Sequence, residues 1–215
     1  MKTPCTAALC CLALWGVVGA QTWEISLSRL YPRISPTPLG SISEEGKKDD
    51  DTKLKGLYGY GARLTWNTPG YYGHELGFNY NRARLTSKVR ETVEGKTVTS
   101  VLEDRVVVRQ AYYNFLMYFM PKGERWRPFM TGGVHATEYG APGFEDWPTG
   151  KSRNWGFNYG GGIKLRLFPH ALVRLDVRDY IGGKPYDLES EDMMKFGGRL
   201  RMFEASAGIV ITFKK

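Results

Sequence analysis

The chain has 215 residues and a formal net charge of +8, from 30 basic and 22 acidic side chains. This length suits one domain or one large barrel. All three cysteines, Cys5, Cys10 and Cys11, lie near the amino terminus. Disulfide bonds, cysteine nucleophiles and cysteine-ligated metal are therefore excluded from the rest of the chain.

The first twenty residues, MKTPCTAALCCLALWGVVGA, have the features of a secretory signal peptide. A lysine stands at position 2, a small and apolar run extends from Cys5 to Val18, and small residues precede Gln21. The run is shorter than the roughly 20 apolar residues that a membrane-spanning helix needs. We predict cleavage between Ala20 and Gln21, which leaves residues 1–20 as the removed signal peptide and residues 21–215 as the exported domain.

The exported domain is expected to form β-strands, because apolar and polar residues alternate along most of it with a period of two. We predict eight strands, at residues 22–31, 56–67, 72–85, 106–119, 127–139, 154–168, 172–180 and 199–213. Long polar segments follow the first, third, fifth and seventh strands, whereas short turns follow the second, fourth and sixth. Of these long segments, residues 86–105 are expected to form a long β-hairpin tip that projects beyond the membrane.

The seventh strand raises the question of which face is hidden, since its aliphatic row is Val173, Leu175 and Val177 and its charged row is Arg174, Asp176 and Arg178. A soluble barrel would enclose the aliphatic row, whereas a membrane barrel turns it toward lipid and lines its interior with the charges. The unequal connections at the two ends favour the membrane barrel, as do aromatic residues near the strand ends. An arginine facing lipid near the bilayer midplane costs about 2–4 kcal/mol, so the charged row must then face inward.

The predicted inward rows contain nine ionisable side chains of nearly balanced charge: Glu24, Arg63, Glu75, Lys164, Arg166, Arg174, Asp176, Arg178 and Glu204. The interior of an eight-stranded barrel is just wide enough to be filled by side chains. Buried charges persist only when they are paired and hydrogen-bonded. We therefore predict an ionic plug rather than an open channel. Gln110 and Asn114 favour inward even positions in the fourth strand, and the pattern leaves the facing of the fifth strand open.

No enzymatic site is predicted. The three histidines, His74, His135 and His170, have no serine or acidic partner that the strand pattern places beside them. Cysteine or histidine clusters with metal-ligand spacing are also missing, so no metal or cofactor is expected. The basic balance of an exported protein points to lipid head groups and anionic sugars rather than to nucleic acid.

With its signal peptide, its hairpin GFNYGGGIKLRLFPHALVRLDVRDY and its final strand, the chain resembles the OmpA-like outer-membrane β-barrel superfamily of Gram-negative bacteria. Ser206, Gly208, Ile211 and Phe213 match the spacing that this family presents to the barrel-assembly machinery. The family usually ends on the aromatic residue, whereas here two lysines follow it. The resemblance implies an all-β, eight-stranded antiparallel up-and-down transmembrane barrel with short periplasmic turns, long extracellular loops and both termini in the periplasm.

The same resemblance implies a non-enzymatic outer-membrane protein with a structural or surface-interaction role that works through four long extracellular loops. Its expected partners are outer-membrane lipids, lipopolysaccharide, the assembly machinery and an extracellular ligand of unknown identity. No appended peptidoglycan-binding domain is expected. Two alternatives stay open, a narrow porin-like channel for small solutes and a lipid-modifying enzyme.

Overall fold

The structure, a computed structural model, describes residues 22–37, 39, 52–93, 96–144, 150–186 and 198–214. The predicted signal peptide and its cleavage site between Ala20 and Gln21 lie outside the described residues. In the part of the chain that is described, no helix is long and apolar enough to cross a membrane.

Eight strands form a closed antiparallel barrel in which each strand pairs with its neighbours in sequence and the last strand pairs with the first. They are β1 (Thr22–Ile34), β2 (Thr52–Asn67), β3 (Tyr72–Val93), β4 (Lys96–Tyr118), β5 (Trp126–Tyr139), β6 (Ser152–Phe168), β7 (Ala171–Gly183) and β8 (Arg199–Lys214). Closure leaves the sheet without a free edge along the paired part of the wall. The predicted eight-stranded up-and-down barrel is confirmed.

The two ends of the barrel differ in their connections. Short turns, residues 68–71, 119–125 and 169–170, join strands at one end, which we call the turn end. The other end, which we call the loop end, carries segments 35–51, 140–151 and 184–198 and the tip of the β3–β4 hairpin. Both chain termini of the barrel lie at the turn end, because the strand number is even.

The β3–β4 hairpin has the long projecting tip that the sequence predicts, since strand structure continues through most of residues 86–105. The two strands pair without interruption to Val93 and Lys96. β2 pairs with β3 only as far as Ser87, and β5 pairs with β4 only from Val108 onward. Alternating threonine and valine residues favour strand pairing even where the ribbon leaves the barrel wall.

The aliphatic row of the wall lies on the outside and the charged row lies on the inside. Leu175, Ile209 and Ile211 are 44%, 61% and 43% exposed, whereas Arg174 and Asp176 are 0% and 4% exposed. β4 turns its even positions inward. The facing of β5, which the sequence left open, places its odd positions inward, among them Arg127, Phe129, Thr131, His135 and Thr137.

An aromatic belt surrounds part of the outer wall near the turn end. Trp23 lies 5.9 Å from Trp66, Trp66 stacks on His74 at 5.3 Å, and Tyr72 stacks on Phe115 at 5.5 Å between ring centroids. Amphipathic rings at this position are typical of the boundary between lipid and water in membrane barrels. The belt marks the turn-end edge of the lipid-facing band.

Toward the loop end, the interior changes from polar to apolar. The buried side chains there form one cluster, composed of Ile34, Leu39, Leu54, Ala83, Leu85, Val106, Val108, Tyr112, Tyr139, Tyr180, Tyr186, Leu200 and Met202. This apolar zone is not predicted from sequence, because the inward positions of the strands are expected to be polar. Several residues of the zone also lie in segments that are predicted to be loops. The extended wall encloses a core of the kind found in water-soluble proteins.

Candidate functional site

The charged side chains of β7 enter the lumen opposite glycines on both neighbouring strands. Arg178 and Asp176 pair with Gly160 and Gly162 of β6, and Arg174 pairs with Gly208 of β8. A Cβ atom at Gly162 would lie 2.5 Å from the Cβ atom of Asp176. The glycines therefore leave the room that the long side chains need to turn across the barrel.

These side chains form a central cluster of three arginines and two carboxylates: Arg63, Glu75, Arg174, Asp176 and Arg178. Asp176 accepts hydrogen bonds from Arg63 at 2.9 Å, Arg174 at 2.8 Å and Arg178 at 3.0 Å. Glu75 accepts from Arg174 and, at 2.6 Å, from Arg178. All five residues are at most 4% exposed. Glu75, Arg174, Asp176 and Arg178 each meet at least two ions of the opposite sign, and Arg63 pairs with Asp176.

Neutral groups complete the hydrogen bonding of the central cluster. Arg63 donates from Nε to the hydroxyl of Tyr112 at 2.8 Å, and its two terminal nitrogens reach Ser28 at 3.3 Å and Ser206 at 3.1 Å. Thr65 donates to Glu75 at 3.1 Å. Arg63, on β2, thus contacts side chains from β1, β4, β7 and β8, and it bridges the lumen from wall to wall.

A second layer lies between the central cluster and the turn end. Lys164 forms a buried ion pair with Glu24 and donates to the Tyr118 hydroxyl at 2.8 Å. The guanidinium of Arg127 stacks 3.5 Å from the centroid of the Tyr118 ring. A cavity of about 350 Å3 opens beside this pair, lined in part by Glu24, Lys164, Arg127 and Asn67. The amide of Asn67 is buried without a protein partner, as expected of a group that meets water.

A third layer separates the central cluster from the apolar zone. Glu204 accepts hydrogen bonds from Asn79 at 3.0 Å and from Asn81 at 3.2 Å. Asn79 also donates to the Tyr180 hydroxyl at 3.3 Å. Amides rather than arginines therefore solvate this carboxylate. Beyond it, the ring of Tyr180 meets Tyr112 at 6.2 Å and the apolar core begins.

Eight of the nine residues assigned to the lumen from sequence are buried inside the barrel: Glu24, Arg63, Glu75, Lys164, Arg174, Asp176, Arg178 and Glu204. Arg166 differs, because it lies at the turn-end rim and donates to the carbonyl of Gly123 at 2.7 Å. Its strand ends two residues later, so its side chain reaches the turn rather than the cluster. Sequence reasoning missed Arg127, whose strand has no clear alternation, and the tyrosines Tyr112, Tyr118 and Tyr180.

The residues of the predicted assembly signal are divided between the two faces of β8. Ser206 points inward and bonds Arg63, and Gly208 packs against Ser28. Ile211 and Phe213 point outward and are 43% and 49% exposed. The two outer residues are thus placed where another membrane component can contact them.

Among the described residues, His135 is the histidine that faces the lumen. His135 is 3% exposed, its Nδ1 has no hydrogen-bond partner, and its ring meets the edge of Tyr180 at 5.2 Å. In the same residues, no group of three His, Cys, Asp or Glu side chains could hold a metal ion.

Residues 10–202 match the family model of the outer membrane protein beta-barrel domain. The chain belongs to this family. Among curated proteins, none matches the sequence.

Solved structures share the fold of this outer membrane protein beta-barrel domain at low sequence identity. OprG from Pseudomonas aeruginosa is 13% identical, with a TM-score of 0.53 over 92% of this chain and 97% of its own. Ail from Yersinia pestis, solved in complex with the heparin analogue sucrose octasulfate, is 11% identical, with a TM-score of 0.51 over 91% of this chain and 100% of its own. AlkL is 13% identical, with a TM-score of 0.52 over 92% of this chain and 91% of its own. With the family match, this likeness identifies the chain as an outer-membrane β-barrel protein.

Proposed function

We propose that the protein is a closed, non-enzymatic outer-membrane barrel with a structural or surface-interaction role. The observation that carries this proposal is the filling of the lumen by successive layers of side chains. Solutes entering from the turn end meet the Lys164–Glu24 pair, then the central cluster, and then the apolar core. A permanent water path would have to pass between groups that are already hydrogen-bonded to one another.

The central cluster supports a closed state because opening it is expensive. Separating one buried ion pair leaves two charges in a medium of low dielectric constant, and breaking such pairs costs about 3–5 kcal/mol. To move out of the lumen, Arg63 would have to break its hydrogen bonds with Asp176, Tyr112 and Ser206. Spontaneous opening should therefore be rare.

In the proposed orientation, the turn end and both termini of the barrel face the periplasm and the loop end faces the outside. The aromatic belt and the short turns support this placement by analogy with membrane barrels of known orientation. The long β3–β4 hairpin and the loop-end segments would then present an extracellular ligand surface. During insertion, Ser206, Gly208, Ile211 and Phe213 would be presented to the barrel-assembly machinery.

A narrow channel is the alternative function, and one feature favours it: the cavity beside Lys164 and Glu24 opens toward the turn end.

Planar-bilayer recordings on the purified, folded barrel distinguish a closed barrel from a narrow channel. We expect no steady single-channel openings at 1 M salt from the native protein. Replacing the central cluster in the triple variant Arg63→Ala, Glu75→Ala and Arg174→Ala should produce openings, which shows that insertion itself is detectable. Steady openings from the native protein would refute the closed barrel and favour the channel.

A further inference from the structure

A small cleft on the outer wall, outside the lumen, lies between β1, β7 and β8. It has a volume of about 220 Å3 and is lined by Arg33, Ile34, Ser35, Pro36, Asp179, Arg201 and Phe203. Ile34 points inward and belongs to the apolar core. The charged residues Arg33, Asp179 and Arg201 lie on outward-facing rows and belong to no lumen layer, so the closed barrel does not account for the polar groups of the cleft.

Not every polar atom of the cleft has a hydrogen-bond partner among the described residues. Arg201 donates to Asp179 Oδ2, at 2.6 Å from its Nε, and Tyr159 donates to the same oxygen at 3.1 Å. The other oxygen of Asp179, Oδ1, has no partner although the residue is only 5% exposed. No carboxylate among the described residues forms an ion pair with Arg33. A buried acceptor without a partner beside two guanidinium groups points to a ligand.

The position of the cleft along the barrel axis can be estimated from the number of residues that separate it from the aromatic belt on β1. Arg33 stands ten residues beyond Trp23 of the aromatic belt, about 33 Å along the strand at roughly 3.3 Å per residue. A strand tilted by about 45° climbs about 23 Å over that length, close to the roughly 25 Å height of the apolar band of membrane barrels. Arg33 and Arg201 therefore lie at the loop-end edge of the lipid-facing band, where the head groups of one leaflet are found.

The chemistry of the cleft defines its ligand. Guanidinium groups bind phosphate through paired N–H donors, and Arg33 pairs with no carboxylate in the part of the chain that the structure describes. A phosphate alone would be repelled by Asp179, so the ligand must also carry a hydroxyl that donates to Oδ1. Below the cleft, Phe203, Ala205 and Ile209 continue an apolar outward row on which an acyl chain can lie.

We propose that this cleft binds the phosphorylated sugar head group of an outer-leaflet glycolipid, with phosphate on Arg33 and Arg201 and a sugar hydroxyl on Asp179. The proposal rests on the outer-membrane orientation given above, and it adds a lipid partner of defined chemistry. It does not depend on a closed lumen, because the cleft lies on the opposite face of the wall.

The test uses the full barrel in phosphatidylcholine nanodiscs that contain lipid A, and native mass spectrometry counts the lipid A molecules retained. Lipid A from which both phosphates have been removed is the ligand control. The protein variants are Arg33→Gln and the pair Arg33→Gln and Arg201→Gln. Arg109→Gln is the matched protein control, since Arg109 also faces outward and already pairs with Glu138 at 2.9 Å. The mobility shift on boiling verifies that each variant is folded.

We expect the native protein and Arg109→Gln to retain lipid A at least about tenfold more tightly than its phosphate-free form, and the double variant to lose this preference. Arg33→Gln alone should weaken retention severalfold, and it removes no ion pair between described residues of the wall. Equal retention by the native protein and the double variant would overturn the proposal. Displacement of lipid A by an equal concentration of glucosamine 1-phosphate would overturn the lipid assignment and indicate a soluble sugar phosphate. Bilayer conductance tests the closed lumen separately, so the two proposals can fail independently.

Discussion

Asp176 is the residue on which the interior depends most, because one carboxylate serves three guanidinium groups. Arg63, Arg174 and Arg178 all donate to it within 3.0 Å, and it is 4% exposed. Removing it would leave the three arginines of the central cluster with Glu75 as the one carboxylate of that cluster. An excess of positive charge in a closed lumen has no solvent to screen it.

We therefore expect Asp176→Ala to lower the free energy of unfolding by about 3–5 kcal/mol, measured by urea titration in lipid vesicles. Glu103→Ala is the matched control, because Glu103 pairs with Arg84 at 3.3 Å on the exposed hairpin and its side chain is 50% exposed. Removing the exposed pair should cost less than about 1 kcal/mol. Equal losses in the two variants would mean that the central cluster is not a stabilising network.

The central cluster could be predicted residue by residue where a strand alternates cleanly. In β7, every inward position from 174 to 178 is charged and every outward one is aliphatic, so the facing is determined. Arg127 could not be found in this way, since the inward row of β5 includes Phe129 and its outward row includes Gly132. Hydrophobicity does not distinguish the two faces of such a strand. Arg166 was wrongly assigned to the lumen. Alternation predicts which face of the strand a side chain lies on, but it does not predict how close the residue is to the end of the strand.

At the scale of elements, neighbouring strands fit together through glycine and aromatic pairs. Gly77 of β3 lies under the ring of Tyr112 on β4, and these residues are directly paired. A Cβ atom at position 77 would overlap the phenol ring. Because Tyr112 accepts a hydrogen bond from Arg63 at 2.8 Å, moving the ring would also disturb the central cluster.

Gly77→Ala should therefore destabilise the barrel by about 1–3 kcal/mol, the usual cost of overpacking. Gly132→Ala provides the control, since a Cβ atom there would meet its nearest neighbour, the carbonyl oxygen of Asn158, at 3.9 Å. This second substitution should be neutral or stabilise the protein by up to about 1 kcal/mol. Urea titration of both variants measures the difference. If the two substitutions had the same effect, the packing of Tyr112 over Gly77 would be irrelevant to stability.

The number of strands could be predicted from the sequence more accurately than their lengths. All eight strands and the β3–β4 hairpin tip follow from period-two alternation and turn residues, but Thr52 and Lys53 at the start of β2 were assigned to a loop. They follow the charged run KKDDD, which is polar enough to look solvated. They nevertheless belong to a strand, because they pair with Ser87 and Thr86 of β3, and pairing across the sheet is not visible in one segment alone.

At the scale of the whole molecule, the barrel wall meets two environments along its length. Where the outside is apolar, the inside holds ions and amides; toward the loop end, the inside becomes an apolar core that includes Leu85, Val108 and Met202. The change is expected where a wall leaves lipid for water, because the hydrophobic effect then favours apolar side chains inside rather than outside. The polar lumen could be predicted from sequence, whereas the apolar zone required knowledge of where the lipid-facing band ends.

Spin labelling of β8 in lipid vesicles tests this inside-out arrangement most directly. Single cysteines are introduced at positions 205 to 211 of the chain from Gln21 onward, which contains no other cysteine. The collision of each spin label with oxygen, which concentrates in lipid, is then measured. We expect high oxygen accessibility at Ala205, Ala207, Ile209 and Ile211, and immobile, inaccessible labels at Ser206 and Val210. The opposite alternation of accessibility, or no alternation, would show that the aliphatic row of β8 does not face lipid.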